Sequence, residues 1–273
     1  MKLLYVTDLH GSVWKYDKLF ELAKKHKADA VINGGDMLPK GGDLHKIQLE
    51  FITTYLPNHF EQFNNVGVHY LCCLGNDDLA IYDDLFSQLI SKYPFVQNIA
   101  QKKVQIFSWE FIGFNFVVDY PFRLKDRCRV DTKEYVFEGQ FGTGLLSQKQ
   151  GFKEIENWLI YAHSLPTIED ELEKLAMPKK MKKAIYVIHM PPSRLGLDKC
   201  SNGSQVGSKA IYNFLKKNQP LLSLHGHIHE SPVMTNVWMN MLKKTVCVQP
   251  GQRTELTYVT IELDTMKIER HKI

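Results

Sequence analysis

The chain has 273 residues, 44% of them apolar, with a formal net charge of +4. That length supports one large domain with a substantial core, and the slight charge argues against a polyanion-binding surface. The five cysteines include no Cys-x-x-Cys pair, and no apolar run approaches a membrane span, which speaks against a disulfide scaffold and a membrane protein.

The first apolar stretch, Met1 to Thr7, is too short for a signal h-region and ends in Asp8, so the expectation is a soluble chain in the reducing cytoplasm. Leu3 to Thr7 reads as a buried strand, Trp14 to His26 as an amphipathic helix and Ala28 to Asn33 as a second strand, together a βαβ unit. A helix follows from about Asp43 to Phe63, interrupted near Pro57, then a strand over Val66 to Leu74 and a helix over Asp83 to Ser91. Val104 to Phe107 and Phe111 to Val118 alternate like a hairpin, which shifts the pattern from parallel towards antiparallel pairing.

Residues 121–180 are the least regular, with clustered glycines and a charged stretch from Lys153 to Lys174 that reads as one or two helices. They are expected to form an insertion or lid within a single domain spanning 1–273. The basic run Lys179 to Lys183 reads as a solvated loop. Strand Ala184 to Ile188, a helix from Ser208 to Lys217 and strand Leu221 to Leu224 follow, with late strands near Val233 to Trp238, Thr245 to Val248 and Thr257 to Leu263.

Five short strings stand at the ends of these predicted strands: Asp8-Leu9-His10, Gly34-Gly35-Asp36, Gly75-Asn76-Asp77, His189 before Met190-Pro191-Pro192, and Gly226-His227-Ile228-His229. An open α/β sheet places its ligand site at strand carboxyl ends. Singly, the glycine pairs are ordinary turn formers and the aspartates ordinary helix caps. Together, they supply three carboxylate or amide oxygens and four imidazoles. Mixed imidazole and carboxylate donors suit Mn²⁺ or Fe²⁺, with Zn²⁺ a further candidate, whereas an all-thiolate set would indicate structural zinc. Two ions a few ångströms apart need a bridging ligand, and Asp36 is the candidate.

In order and spacing these strings resemble the calcineurin-like metallophosphoesterase superfamily, from Asp8 to His229. The resemblance implies a four-layer α/β/β/α sandwich with mixed sheets and a dinuclear site at the strand carboxyl ends. It implies one metal held by Asp8, His10, Asp36 and His229 and another by Asp36, Asn76, His189 and His227. It further implies hydrolysis of a small phosphorylated substrate by in-line attack of a hydroxide bridging the ions.

One position departs from that pattern. The family usually has histidine after Gly-Asn, where this chain has Asp77, followed by Asp78. An ionised carboxylate repels a phosphate oxygen and serves as an acid only if its pKa is raised. Asp77 is therefore the candidate catalytic residue, with His45, His59 and His225 as alternatives that would have to reach in. A phosphodiester is the expected substrate, since a monoester with a poor leaving group gains most from a protonating histidine, and the resemblance extends to branches of the family that lack it and remain phosphodiesterases. The alternatives are a phosphomonoesterase, a nuclease, for which no basic stripe speaks, and a non-catalytic metal-binding scaffold, which has no need of all seven ligands. Arg123, Arg127 and Arg129 are candidates for a phosphate clamp, the loop Ser193 to Gly207 for a substrate contact, and Glu230 for a solvated turn or a group orienting His227 or His229.

Overall fold

The computed structural model describes residues Met1 to Ile273. Two six-stranded mixed sheets form its centre. In the first, the spatial order is Lys267–Lys272, Thr257–Glu262, Lys2–Val6, Ala30–Asn33, His69–Cys72 and Val96–Asn98. The last four run parallel, while Thr257–Glu262 pairs antiparallel with both of its neighbours. The second has the order Met239–Leu242, Thr245–Val248, Leu222–Leu224, Ala184–Ile188, Trp109–Phe114 and Lys103–Ile106. Its four central strands are parallel and its two edge strands antiparallel.

The period-2 alternation of each strand explains how these sheets stack. In Lys2–Val6, Leu3 and Tyr5 face an apolar layer shared with Phe111, Ile185, Val187 and Leu224 of the second sheet. Leu4 and Val6 face the other way, towards Leu19 and Leu22 of helix Val13–His26 and Phe60 of helix Leu56–Asn65. The second sheet repeats the arrangement: Tyr186 and Ile188 pack with Ile211 and Leu215 of helix Lys209–Asn218 and Trp158 of helix Trp158–Ser164. The result is a four-layer α/β/β/α sandwich. Near-continuous apolar runs such as Ala184–Ile188, buried at every residue, are what a strand covered on both faces requires.

Three points of the sequence reading need correction, whereas the interruption expected near Pro57 is present as a π-helical turn over Phe51–Tyr55, just ahead of the proline, which has no amide hydrogen to donate to the preceding turn. Val233 to Trp238 is not a strand: Pro232 starts a short helix, Ser231–Thr235, that Asn236 ends in the left-handed conformation, and the strand begins at Met239. Phe111 to Val118 does not continue as one strand, because Val117–Val118 leaves the sheet to pair with Cys128–Arg129. A final strand, Lys267–Lys272, escaped the sequence reading because its exposed edge position carries no apolar alternation.

Within 121–180 the chain forms the hairpin Gly144–Ser147 with Phe152–Ile155, then helices Trp158–Ser164 and Ile168–Glu173. Thr167 and Asp170 cap the second helix reciprocally. A buried ion pair organises the approach to this segment: Lys125 Nζ lies 2.7 Å from Asp119 Oδ1, which also accepts from Trp158 Nε1 at 2.8 Å.

Candidate metal centre

Each of the five motifs begins where a parallel strand stops, which brings all of them to one edge of the sandwich. Backbone pairing continues past the strand ends: the Asp8 amide donates to the Gly35 carbonyl and the His10 amide to the Asp36 carbonyl. There the chain turns sharply. Asp8, His10, Asp36 and His227 all hold left-handed backbones, with φ of 56°, 44°, 49° and 68°. Such conformations are costly for residues with a Cβ and persist where the surroundings impose them.

The glycines of the motifs answer to close packing. A Cβ at Gly75 would strike the Asp36 carboxylate, and one at Gly226 would strike Thr7 Oγ1 and the Asp8 carboxylate. Both motif glycines thus clear space for an acidic side chain from a neighbouring loop.

Two groups of side chains converge. Ligating atoms of Asp8, His10, Asp36 and His229 lie within 4.8 Å of one another, as do those of Asp36, His189 and His227, so Asp36 belongs to both. His189 Nδ1 lies 2.9 Å from the Gly34 carbonyl, which can only accept, so that nitrogen carries the hydrogen. In the neutral ring the Nε2 lone pair then faces oxygen atoms: Asn76 Oδ1 at 3.0 Å, Asp36 Oδ2 at 3.5 Å and Asp8 Oδ1 at 3.9 Å. A lone pair aimed at oxygens calls for positive charge between them.

The electrostatics agree. Burial opposes charge on His189, yet Asp36 and Asp8 carry its pKa up to about 9. Burial opposes ionisation of Asp8, yet His229 and His189 hold it at about 2. Asp36 is likewise held well below the usual carboxylate range, with His189 and His10 outweighing its burial. Burial pushes His227 down to about 3 and His10 to about 4, so these rings are neutral donors. His10 Nδ1 is buried without a hydrogen-bond partner. The acidic field that draws a proton to His189 and His229 favours a divalent cation in the proton's place, and the deprotonated imidazoles, ionised carboxylates and an amide oxygen then suit two such ions, with no thiolate in either group.

The remaining candidates divide. Asp77 stands at the site: its amide donates to Asp36 Oδ1 at 2.9 Å, and its carboxylate lies 3.7 Å from Lys40 Nζ and 3.8 Å from His10 Nδ1. Burial and the Asp36 charge push its pKa up to about 6. The three alternative histidines lie elsewhere. His59 is enclosed by Tyr16, Phe63 and Tyr70, His225 Nδ1 sits against the Ile188 and Met190 carbonyls, and His45 contacts the Gln148 carbonyl. No arginine clamp forms: Arg127 is buried against Asp83 and the Gly75 carbonyl, Arg123 pairs with Glu154, and Arg129 lies over Phe116. Glu230 orients neither histidine; it accepts from the Ser201 amide and hydroxyl, fastening the loop that follows His189.

Sequence reasoning passed over Lys40 and Asp78. Asp78 accepts from the amides of Met37, Leu38 and Gly75 at 2.7–2.9 Å, locking the loop of Asp36 to the loop of Asn76. Its adjacency to Asp77 was the only signal, and it did not reveal which of the two carboxylates turns inward.

The site opens into a cavity of about 720 Å³, lined by Asp36, Asn76, Asp77, His227 and His229 together with Lys40 and the loop Cys200–Gly207. The calcineurin-like phosphoesterase family profile matches residues 1–231. The chain belongs to that family. As a calcineurin-like phosphoesterase it is a metal-dependent phosphoric ester hydrolase, and both donor groups lie inside the matched residues. Its fold is shared with a solved structure from Thermus thermophilus, at 17% identity over 99% of this chain and 98% of that one, TM-score 0.61. It is shared too with a dimetal phosphatase from Danio rerio, at 12% identity over 100% and 95%, TM-score 0.56. At such identities the likeness is one of fold. No functionally curated protein matches the chain. No helix of this family member is long and apolar enough to cross a membrane.

Proposed function

We propose that the chain is a two-metal phosphodiesterase acting on a small substrate. The observation that carries this reading is the sharing of Asp36 between two groups of donors at the floor of one cavity. Asp8, His10, Asp36 and His229 would hold one ion, and Asp36, Asn76, His189 and His227 the other, with Mn²⁺ or iron favoured by the donor chemistry. When bound, such ions lower the pKa of water and neutralise charge on phosphoryl oxygens.

The chain's own residues do the rest. Gly34 fixes the His189 ring by accepting from Nδ1, and the Asp8 carboxylate accepts from the His227 amide, so both rings are oriented before substrate arrives. Lys40 is the one lysine or arginine lining the cavity and offers its ammonium to a phosphate oxygen. Asp77 supplies a carboxyl group beside it, in the position to give a proton to the departing oxygen. With its pKa raised to about 6 the group exists in both forms, and its ionised form opposes the second negative charge of a monoester, while the cavity has room for two esterified groups. Residues 1–273 are read as one domain, with 121–180 an insertion that walls the cavity. Five free cysteines favour a cytoplasmic setting.

The test is turnover of bis-p-nitrophenyl phosphate against p-nitrophenyl phosphate by Mn²⁺- or iron-loaded protein. Diester turnover exceeding monoester turnover, abolished by Asp36→Asn, is expected. Faster monoester turnover would overturn the preference, and no turnover of either ester with any of Mn²⁺, Fe²⁺ or Zn²⁺ would overturn catalysis.

A further inference from the structure

Aromatic rings lead outward from the metal-site floor to the mouth of the cavity. The His227 ring lies 5.9 Å from Tyr120, Tyr120 lies 5.9 Å from Phe122, and Phe122 meets Phe141 edge to face at 5.4 Å and 87°. All four line the cavity. The inner step is fixed: Tyr120 donates its hydroxyl to the Leu124 carbonyl at 2.7 Å, and Lys125 holds the Tyr120 carbonyl and Asp119. The outer rings are 63% exposed at Phe122 and 70% exposed at Phe141, although each belongs to a residue type that ordinarily contributes a large buried area. Two rings exposed to this degree at the entrance of a site are a hydration cost, and the aromatic neighbours of Phe122 are the cavity-lining Tyr120 and Phe141.

The polar side of the same cavity has a matching character. Ser201, Asn202, Ser204 and Gln205 come from the loop after His189, and Gln205 is exposed. The ionisable lining of the cavity other than Lys40 and the histidines is acidic, with Asp77, Glu138 and Glu230 among it, which disfavours a substrate bearing several phosphates. We propose that this aromatic series is a stacking subsite for a planar ring of nucleobase size, carried on an alcohol group of a singly charged phosphodiester. Phe122 and Phe141 determine specificity by contact with that ring, and the amide and hydroxyl groups of the loop face its edge. A nucleoside ester meets these requirements: one π-face for stacking, polar edges, and one phosphate charge at the metal end. The subsite deepens the phosphodiesterase reading and rests on it for the position of the phosphate.

Two diesters with the same leaving group separate ring recognition from chemistry: the p-nitrophenyl ester of thymidine 5′-phosphate and the p-nitrophenyl ester of methyl phosphate. In wild type, kcat/KM for the nucleoside ester should exceed that for the methyl ester by about tenfold or more, carried mainly by KM, since one stacked base is worth roughly that factor. In the Phe122→Leu, Phe141→Leu double variant the ratio should fall towards unity. Both side chains are mostly exposed, so the variant is expected to fold, and its melting temperature checks this. A second measurement needs no turnover: chelator-treated protein should bind thymidine 5′-monophosphate more tightly than ribose 5-phosphate, and the double variant should bind both alike. Equal kcat/KM for the two diesters in wild type, or equal binding of the two monophosphates, overturns the subsite. Selective nucleotide binding without hydrolysis of either diester keeps the subsite and removes the phosphodiesterase reading, whereas hydrolysis without selectivity does the reverse.

Discussion

His10 Nε2 lies 3.1 Å from His229 Nε2, the two rings converging from opposite ends of the sequence. Two imidazole lone pairs repel at that separation unless a proton or a cation lies between them. With Asp8 and Asp36 alongside, a divalent ion satisfies all four groups.

Metal removal should therefore abolish activity and lower the melting temperature while leaving helix signal largely intact, because the four-layer core forms without the ions. Addition of Mn²⁺ at about a hundred times its Kd should return roughly 2.7 kcal/mol of stability per site. Asp36→Asn should lower occupancy of both sites and Asn76→Ala chiefly that of one, as read by metal analysis. Two ions per chain in Asp36→Asn would show that it is not the bridge, and a large loss of helix signal on chelation would make the metals structural.

Gly75→Ala should have an outsized effect for one methyl group. Its Cβ would collide with the Asp36 carboxylate, which cannot retreat because it also accepts from the Asp77 amide. A destabilisation of about 1–3 kcal/mol is expected, with metal content falling towards that of Asp36→Asn. Gly139→Ala, where an added Cβ meets nothing within 4 Å, serves as the control and should change neither quantity.

Asp77 is tested with metal content measured in parallel, because its backbone amide rather than its side chain holds Asp36, while its carboxylate accepts from Asn76 Nδ2 at 2.9 Å. Asp77→Ala should lower diester turnover at least about tenfold with both ions retained, and Asp77→His should raise monoester turnover more than diester turnover, by about ten- to a thousandfold if the imidazole is well placed. Intact activity towards both esters in Asp77→Ala would make the carboxylate a spectator.

The strands that carry the site were legible because covered strands are short apolar runs, and their ends bear Gly-Asp, Gly-Asn or Gly-His strings that sequence alone could order. The two convergent groups follow from those strand ends, with Asp8, His10, Asp36 and His227 in sharp left-handed turns just beyond a strand. What escaped depended on distant partners. Arg127 looked free to bind phosphate, but Asp83 and the Gly75 carbonyl claim it. Glu230 looked solvated, but Ser201 claims it. Lys40 and the series Tyr120, Phe122 and Phe141 reach the cavity through loops without periodicity, so nothing in their spacing marked them.

His59 gives a prediction about acid stability that is independent of the site. Its ring stacks on Tyr55 and stands edge to face with Tyr16 and Tyr70, Nε2 is buried without a partner, and burial pushes its pKa down to about 3. In the unfolded chain the same group titrates near 6.5. Between those values the unfolded state binds one more proton, so the neutral ring's contribution is complete above about pH 6.5 and is lost as pH falls towards 3. His59→Phe keeps the aromatic packing and removes the proton. Urea unfolding of chelator-treated protein should then show a stability that falls less steeply between pH 6 and 4, by about 1.4 kcal/mol per pH unit relative to wild type. It should also be somewhat higher at pH 7, where the unpaired Nε2 no longer has to be buried. Parallel pH profiles for wild type and variant would mean that His59 acquires its proton in the folded state without cost, and that its aromatic enclosure opens readily to water.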